Sequence, residues 1–406
     1  MASPPIADII DAFDRKRVID RAVQSVRIKS YSGDEAEIAQ WTADQMSLLG
    51  LEVTLVEVAP RRFNAIGIWR GSGGGASFMY NGHMDTNPVG EGWVRAPLGG
   101  ECDSEFVYGI GISNMKAGNA SFLEAVAMLK TVGFRPKGDV ILAFVHGELQ
   151  GGVGTVRMIE SGVRADYFVV GEPTELTLLT RHSASFVFEI SILGKTRHLS
   201  KREEGVDAVI GMEKLLPRLR SLAFSGAASD DDRALNRVNI GVIRAGVSRQ
   251  LLDWRPQQLA DVCTVKCAGR FGPSQTLDQA MRDISALLDD LHREDPTFVA
   301  ELRLVEENRI FMPPFKVEHD APPVLAVADA HRRVVGEPPK IGMHTPAKFF
   351  GSDAAHLAAA GMTGVLYGPG GKFNTMPDER VAINEMEIAS KVYAAAVVNL
   401  MEKTSP

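Results

Sequence analysis

An apolar run, Phe78-Met79-Tyr80-Asn81-Gly82, ends in His83-Met84-Asp85, a histidine and an aspartate two residues apart. In an extended segment such residues point the same way, so His83 and Asp85 are placed to face one cleft. The pairing suits an imidazole that binds a metal or moves a proton, with the carboxylate fixing its tautomer and basicity. A strand end with two polar surface residues has the same pattern. Other stretches also end apolar runs with reactive groups. Glu148 stands in the Gly-flanked turn His146-Gly147-Glu148-Leu149-Gln150-Gly151 and reads equally as a solvated loop acid. Glu172, in Gly171-Glu172-Pro173-Thr174, lies at a strand's carboxyl end, where open α/β sheets bind ligands. Tyr108 to Lys116 is a Gly-rich approach to a helix with Ser113 or Asn114 as N-cap. Gly351-Ser352-Asp353 and Gly368-Pro369-Gly370-Gly371 have turn composition, with backbone N–H groups to offer a ligand.

The elements that hold these residues follow from hydrophobic period and breakers. One helix is expected over Ala7–Val26 and a second from Ser32-Gly33-Asp34-Glu35 to Gly50. Strands follow at 51–58, 64–69 and 77–82, then a helix from Met115 to Lys130, a strand at 139–145, a helix at 153–160 and a strand at 167–170. This alternation predicts an α/β domain with a helix-covered, mainly parallel sheet. After Thr174 the texture changes. A strand (185–193), a helix (206–222), a Ser/Ala/Asp-rich loop (225–232), two strands (238–243 and 262–267), a helix (277–291) and a strand (298–305) have the order of an α+β, ferredoxin-like sandwich. The tail returns to α/β texture, with helices ending at Gly336, at 353–360 and at 385–401 and a strand at 363–367. The expected division is 1–181 with 313–406 as one domain and 182–312 as its insertion, with a cleft for ligand at the junction.

The 406 residues suffice for two cores. A formal net charge of −7 argues against a nucleic-acid or anionic-membrane surface. Three cysteines make no disulfide framework and fit a reducing compartment; Cys263 and Cys267 are expected in the core. The first seventeen residues carry Asp8, Asp11 and Asp14 and no apolar core like that of a secretory leader. The expectation is a cytoplasmic protein with no nucleic-acid or membrane partner.

In their order, these stretches resemble the M20 metallopeptidases, the family of acetylornithine deacetylase, succinyl-diaminopimelate desuccinylase, aminoacylase and glutamate carboxypeptidase. Gly194-Lys195-Thr196-Arg197-His198 resembles that family's lid histidine motif. The resemblance implies a catalytic domain with an inserted lid that pairs subunits, hence a homodimer. It implies two zinc ions. One would be held by His83, the acid of Glu-Pro-Thr (Glu172) and a bridging Asp, and the other by that Asp, the second acid of an Asp-Glu-Glu motif and a C-terminal histidine. Here the bridging position is Asn114, the second acid is Leu149 and the histidine is Thr375. Leucine has no donor atom, and an uncharged amide or hydroxyl binds zinc weakly. The second site is therefore expected to be absent, leaving one zinc on His83 and Glu172, or none.

By the same resemblance, Glu148 is the general base, Asp85 orients His83, His198 stabilises an oxyanion and Arg270 grips a substrate carboxylate. Gln250 stands where the family has a lid asparagine, and Asn114, Gly351 and Gly370 are candidate substrate contacts. The implied reaction is hydrolysis of an amide bond in a small N-acyl amino acid or related carboxylate. Two other readings stay open: a lyase, isomerase or cyclase using Glu148 and His83 as acid and base, and a pseudoenzyme that binds a carboxylate without consuming it. His146, His344 and His356 are additional histidines near these motifs.

Overall fold

The computed structural model describes residues 4–402 apart from 254, 345–347 and 349. The chain forms two compact units, one of Met1–Arg181, Phe315–Thr345 and Ser352–Pro406, the other of His182–Pro314 and Pro346–Gly351.

The first unit is built on an eight-stranded sheet. From edge to edge it runs Glu52–Ala59, Arg62–Trp69, Val140–Val145, Phe78–His83, Tyr167–Val170, Thr363–Leu366, Leu178–Leu179 and Ile341–Gly342. The four central strands are mutually parallel, while Glu52–Ala59 and Arg62–Trp69 form an antiparallel hairpin at one edge. Val140–Val145 and Phe78–His83 are buried at every position, the continuous apolar pattern of strands covered on both faces. Helices Ala36–Leu48, Ala117–Thr131, Pro322–Val335 and Ile383–Glu402 supply much of that cover. Three buried tyrosines meet in this core, and each phenol finds a partner, as buried hydroxyls must. Tyr80 donates to the Tyr393 carbonyl (2.8 Å), Tyr393 donates to the Tyr367 carbonyl (2.6 Å), and the Tyr367 hydroxyl meets His331 Nδ1 (2.7 Å).

The second unit is a four-stranded antiparallel sheet in the order Arg237–Gly246, Val262–Arg270, Phe186–Leu193, Val299–Leu304. Helices Ala208–Ser221 and Leu277–Glu294 share its core with Phe186, Phe188 and Phe271. Strict alternation of burial along Phe186–Leu193 shows one covered face. The sequence order strand-helix-strand-strand-helix-strand with this sheet order is the ferredoxin-like arrangement. Cys263 and Cys267 are buried in it, their thiols pushed up to about 11 and about 12 by burial.

Local expectations fail in instructive places. The first long helix is two, Ile6–Asp11 and Arg15–Arg27, because the Asp14 side chain accepts from Arg17 N and starts a new helix. The Ser/Ala/Asp-rich loop contains a short helix, Asp230–Ala234, capped by Ser229. The helix expected from Met115 begins at Ala117, preceded by a wide turn over Ile112–Lys116. Among the described residues, no helix is long and apolar enough to cross a membrane.

Candidate active site

Three adjacent parallel strands release their carboxyl ends at one edge of the sheet, and each is followed by one of the reactive groups. Phe78–His83 ends in His83 itself, paired in register with Val145. Glu148 lies three residues past Val140–Val145, and Glu172 two residues past Tyr167–Val170. Parallel topology thus gathers side chains that are far apart in sequence. His83, Glu148 and Glu172 are all buried, and each offers a ligand atom within 4.8 Å of the others.

The surroundings of His83 fix its orientation. Nδ1 donates to the Asp85 carbonyl oxygen at 2.9 Å and lies 3.5 Å from Asp85 Oδ1. Nε2 lies 2.9 Å from Asn114 Oδ1 and 4.0 Å from Glu172 Oε1. The Asp85 carboxylate also accepts from Ser32 Oγ (2.7 Å) and from the backbone N–H groups of Glu148 (3.1 Å) and Leu149 (3.3 Å). Asp85 therefore holds both the imidazole and the turn that carries Glu148. Behind the strand, Gly82 lets helix Ala117–Thr131 approach: a Cβ there would stand 2.0 Å from Asn119 Oδ1. Asn119 Nδ2 in turn donates to the His83 carbonyl at 2.7 Å.

Burial and charge pull against each other in this cluster. Burial alone would lower the His83 imidazole, but Asp85 and the charge of Glu172 raise it well above its ordinary value. Burial would raise Asp85, yet His83, Ser32 and the Glu148 amide hold it down at about 2. Glu172 has only the charge of His83 in its favour. Burial, then repulsion from Glu148, pushes it well above the carboxylate range, and its Oε1 makes no hydrogen bond. Asp353 is also buried, with Thr155 beside it to oppose the loss of its charge. Burial and the charge of Glu148 raise it to about 8.

Asn114, Leu149 and Thr375 come together: all three line one pocket of about 170 Å³, with Trp93, Ile110 and Met376 among its walls. Asn114 lies within the wide turn whose amides are capped from afar by Glu379. That carboxylate accepts from Gly111 N (3.2 Å), Ser113 N (2.9 Å) and Asn114 N (3.1 Å). Neither Ser113 nor Asn114 caps the helix with its side chain, contrary to the sequence expectation. Thr375 is exposed, and its hydroxyl donates to Asn374 Oδ1 at 3.0 Å.

A divalent ion can be tested against these donors. His83, Glu148 and Glu172 supply a nitrogen and two carboxylates, a set that suits one such ion, and the unpartnered Glu172 Oε1 is an orphaned acceptor that a cation would satisfy. Asn114, Leu149 and Thr375, to which the resemblance assigns a second ion, do not fit one: they offer an amide already at hydrogen-bond distance from His83, an alkyl group and a hydroxyl bonded to its neighbour.

The other candidate residues are distributed as follows. Gly370 was expected to offer its N–H to a ligand; the structure spends that N–H on Glu385 Oε2 at 2.6 Å, and Gly371 N on Ser113 Oγ at 2.9 Å. Both glycines lock the turn instead. In the second unit, Gly351 packs beside Met312 and Arg270, whose Nη1 lies 3.3 Å from where a Cβ would stand. His198 is exposed and caps a short turn, its Nδ1 3.0 Å from Ser200 Oγ. Gln250 is exposed in the same unit. The extra histidines are otherwise engaged. His146 Nδ1 sits 3.0 Å from Asn64 Oδ1, its imidazole lowered to about 4 by burial and by Arg62, and His356 Nε2 lies 2.7 Å from the Gly151 carbonyl. His344, beside the undescribed residues, is half-buried.

Sequence reasoning missed Ser32, Asn119, Glu379 and Asp353 as supports of the site. Ser32 lies in the stretch where the sequence places the helix start; the helix is Ala36–Leu48, preceded by Glu35, a buried acid paired with Arg62 (Nε at 2.8 Å). The Gly351-Ser352-Asp353 turn gave the one signal that pointed at Asp353.

Known proteins share this architecture. N-formyl-4-amino-5-aminomethyl-2-methylpyrimidine deformylase of Bacillus subtilis is 25% identical over 388 residues, covering 89% of this chain and 88% of its own length. Acetylornithine deacetylase of Myxococcus xanthus is 24% identical over 382 residues, 92% of each chain. The structure of the di-peptidase Dug1p from Saccharomyces cerevisiae superimposes with a TM-score of 0.81 at 13% identity and covers all of both chains. A description of peptidase family M20/M25/M40 matches residues 79–399, and the chain belongs to that family.

Proposed function

We propose that this protein hydrolyses an amide C–N bond of a small N-acyl amino acid or related carboxylate, with Glu148 as general base and with the family's second metal position given up. The observation that carries the reading is the contrast across one strand edge. His83, Glu148 and Glu172 converge within 4.8 Å, while Asn114, Leu149 and Thr375, which the resemblance assigns to the second ion, line a pocket and bring no charged ligand. The deacetylase and deformylase names of the relatives supply the N-acyl class.

In this reading Glu148 takes a proton from water and returns it to the departing amine. A positioned base contributes about 10²–10⁴-fold. His83, fixed through Nδ1 by Asp85, exchanges its Nε2 partner Asn114 Oδ1 for the substrate's carbonyl oxygen as negative charge develops there, and a donor so placed contributes about 10²–10³-fold. A single divalent ion, when bound on His83 and Glu172, would polarise that carbonyl. Without one, the two protein contributions together reach about 10⁴–10⁷-fold, which confines the enzyme to activated acyl or imine-like substrates. His198 and Arg270 keep the parts the resemblance gives them, oxyanion donor and carboxylate grip. The ferredoxin-like unit pairs with a second copy, which sedimentation tests directly.

The deciding experiment is elemental analysis on protein purified without metal resin and again after zinc addition, alongside turnover of N-acyl amino acids in ¹⁸O-water. The expected result is at most one zinc per chain, label in the carboxylate product, and a loss of about 100-fold or more in kcat for Glu148→Gln. Two ions per chain, or product without label, overturns the reading.

A further inference from the structure

The pocket that gathers Asn114, Leu149 and Thr375 is more than a lost metal position. We propose that it is the acyl-group pocket, and that it accepts an uncharged, ring-sized group and excludes a carboxylate. The proposal deepens the hydrolase reading above and rests on it for the word acyl.

Size is the first argument. About 170 Å³ is close to the cavity of about 150 Å³ that an apolar protein interior needs to take up benzene. Wall chemistry is the second. Trp93, Ile110, Leu149 and Met376 provide an indole face, two branched alkyl groups and a thioether, and ring against ring or sulfur is favourable contact. Charge is the third. Among the described residues no lysine or arginine lines the pocket, and its two acids are Glu91 and Glu379. Glu379, a carboxyl that burial pushes up to about 7, is already turned to three backbone N–H groups and brings no positive charge to meet an anion. A carboxylate entering here would lose water and gain no cation, a penalty that an uncharged ring of the same shape avoids. Position is the fourth: Asn114 lines this pocket and stands 2.9 Å from His83 Nε2, so the pocket opens one side chain away from the imidazole.

The test uses two probes of one shape, benzamide and benzoate, titrated calorimetrically into the intact protein at neutral pH. Benzamide should bind at least about tenfold more tightly than benzoate. Leu149→Glu should weaken benzamide at least about tenfold by placing a charge against the ring, and Trp93→Ala should cost about tenfold through the lost aromatic contact. Leu149→Met, which keeps volume and polarity, should leave affinity within about twofold and shows that the position tolerates change. Benzoate binding as tightly as benzamide, indifference of benzamide to Leu149→Glu and Trp93→Ala, or no binding of either probe overturns the assignment. If benzamide behaves as stated but no N-acyl compound is ever turned over, the hydrolase reading falls and the neutral ring pocket stands.

Discussion

Replacing Asp85 by asparagine tests whether one buried carboxylate holds the site together. Asp85 is fully buried and accepts from Ser32 Oγ and two backbone N–H groups, with His83 Nδ1 3.5 Å away. Its carboxyl is held at about 2 against an ordinary 3.8. At 1.36 kcal/mol per pKa unit that difference corresponds to about 2 kcal/mol of stability. The sign follows from the direction. A folded-state value below the unfolded one stabilises the protein above about pH 4, and the contribution fades as pH falls toward 2. Asparagine keeps the shape but not the charge, and its amide nitrogen faces donors where an acceptor is needed. Asp85→Asn should therefore lose about 2 kcal/mol at pH 7 in urea unfolding of chelator-treated protein, and the gap to wild type should close as pH falls from 4. Hydrogen exchange should quicken at the Glu148 and Leu149 amides, which lose their carboxylate acceptor. Equal stability at pH 7, or a gap of the same size at pH 3, would refute the account of Asp85 as an ionised anchor.

The other predictions concern neighbouring groups. Asp353, raised to about 8, should stay protonated in the folded protein while its unfolded counterpart ionises from about pH 4. The wild type should accordingly lose stability between about pH 4 and pH 8, and Asp353→Asn should flatten that slope in urea midpoints measured across the range; an unchanged slope excludes this role. Restoring the family's second donor set with Asn114→Asp, Leu149→Glu and Thr375→His together should raise zinc content from at most one to two per chain by elemental analysis, and an unchanged content would show that more than these three side chains was lost.

The sequence carried most of the architecture because its signals are local. Burial on both faces makes Val140–Val145 an unbroken apolar run, one covered face makes Phe186–Leu193 alternate, and both patterns are visible without a neighbour. The His83–Asp85 pairing was also legible, though by a different geometry from the one expected. The strand ends at His83, and Nδ1 reaches the Asp85 backbone carbonyl as well as its carboxylate, so the two do not sit as successive same-face residues of a strand. What could not be read was contact over distance. Glu379 caps amides 265 to 268 residues away, and no spacing rule connects them. Helix periodicity ran on through Ala12–Asp14 because both flanking segments are amphipathic; only the capping bond of Asp14 interrupts it. Gly370 illustrates the opposite error, a turn whose N–H looked available until the structure supplied Glu385 as its acceptor.

On the proposed reading, in which the second metal position is given up, the three replacements are physically one change. Glu172 and Asp353 are already pushed toward their neutral forms by burial and by Glu148, more than His83 and, for Asp353, Thr155 oppose. An acid at position 114 or 149 would add another buried carboxylate to that surplus, and without a second dication it would meet only repulsion. Asparagine at 114 turns the same place into an acceptor for His83 Nε2, and leucine at 149 turns it into pocket wall. It follows that reversion is not additive. Leu149→Glu alone should destabilise the protein with or without zinc, since it completes no ligand set, whereas Asn114→Asp, which gives His83 and Glu172 a third ligand, should cost stability only without zinc. The triple reversion should lose at least as much stability in the absence of metal and recover it when zinc is added. The coupling between the sites, read as the difference between the triple variant and the sum of the singles, should appear only with zinc present. Additive costs in zinc would mean that the three positions were never linked through a shared ion, and the pocket they line would need another history.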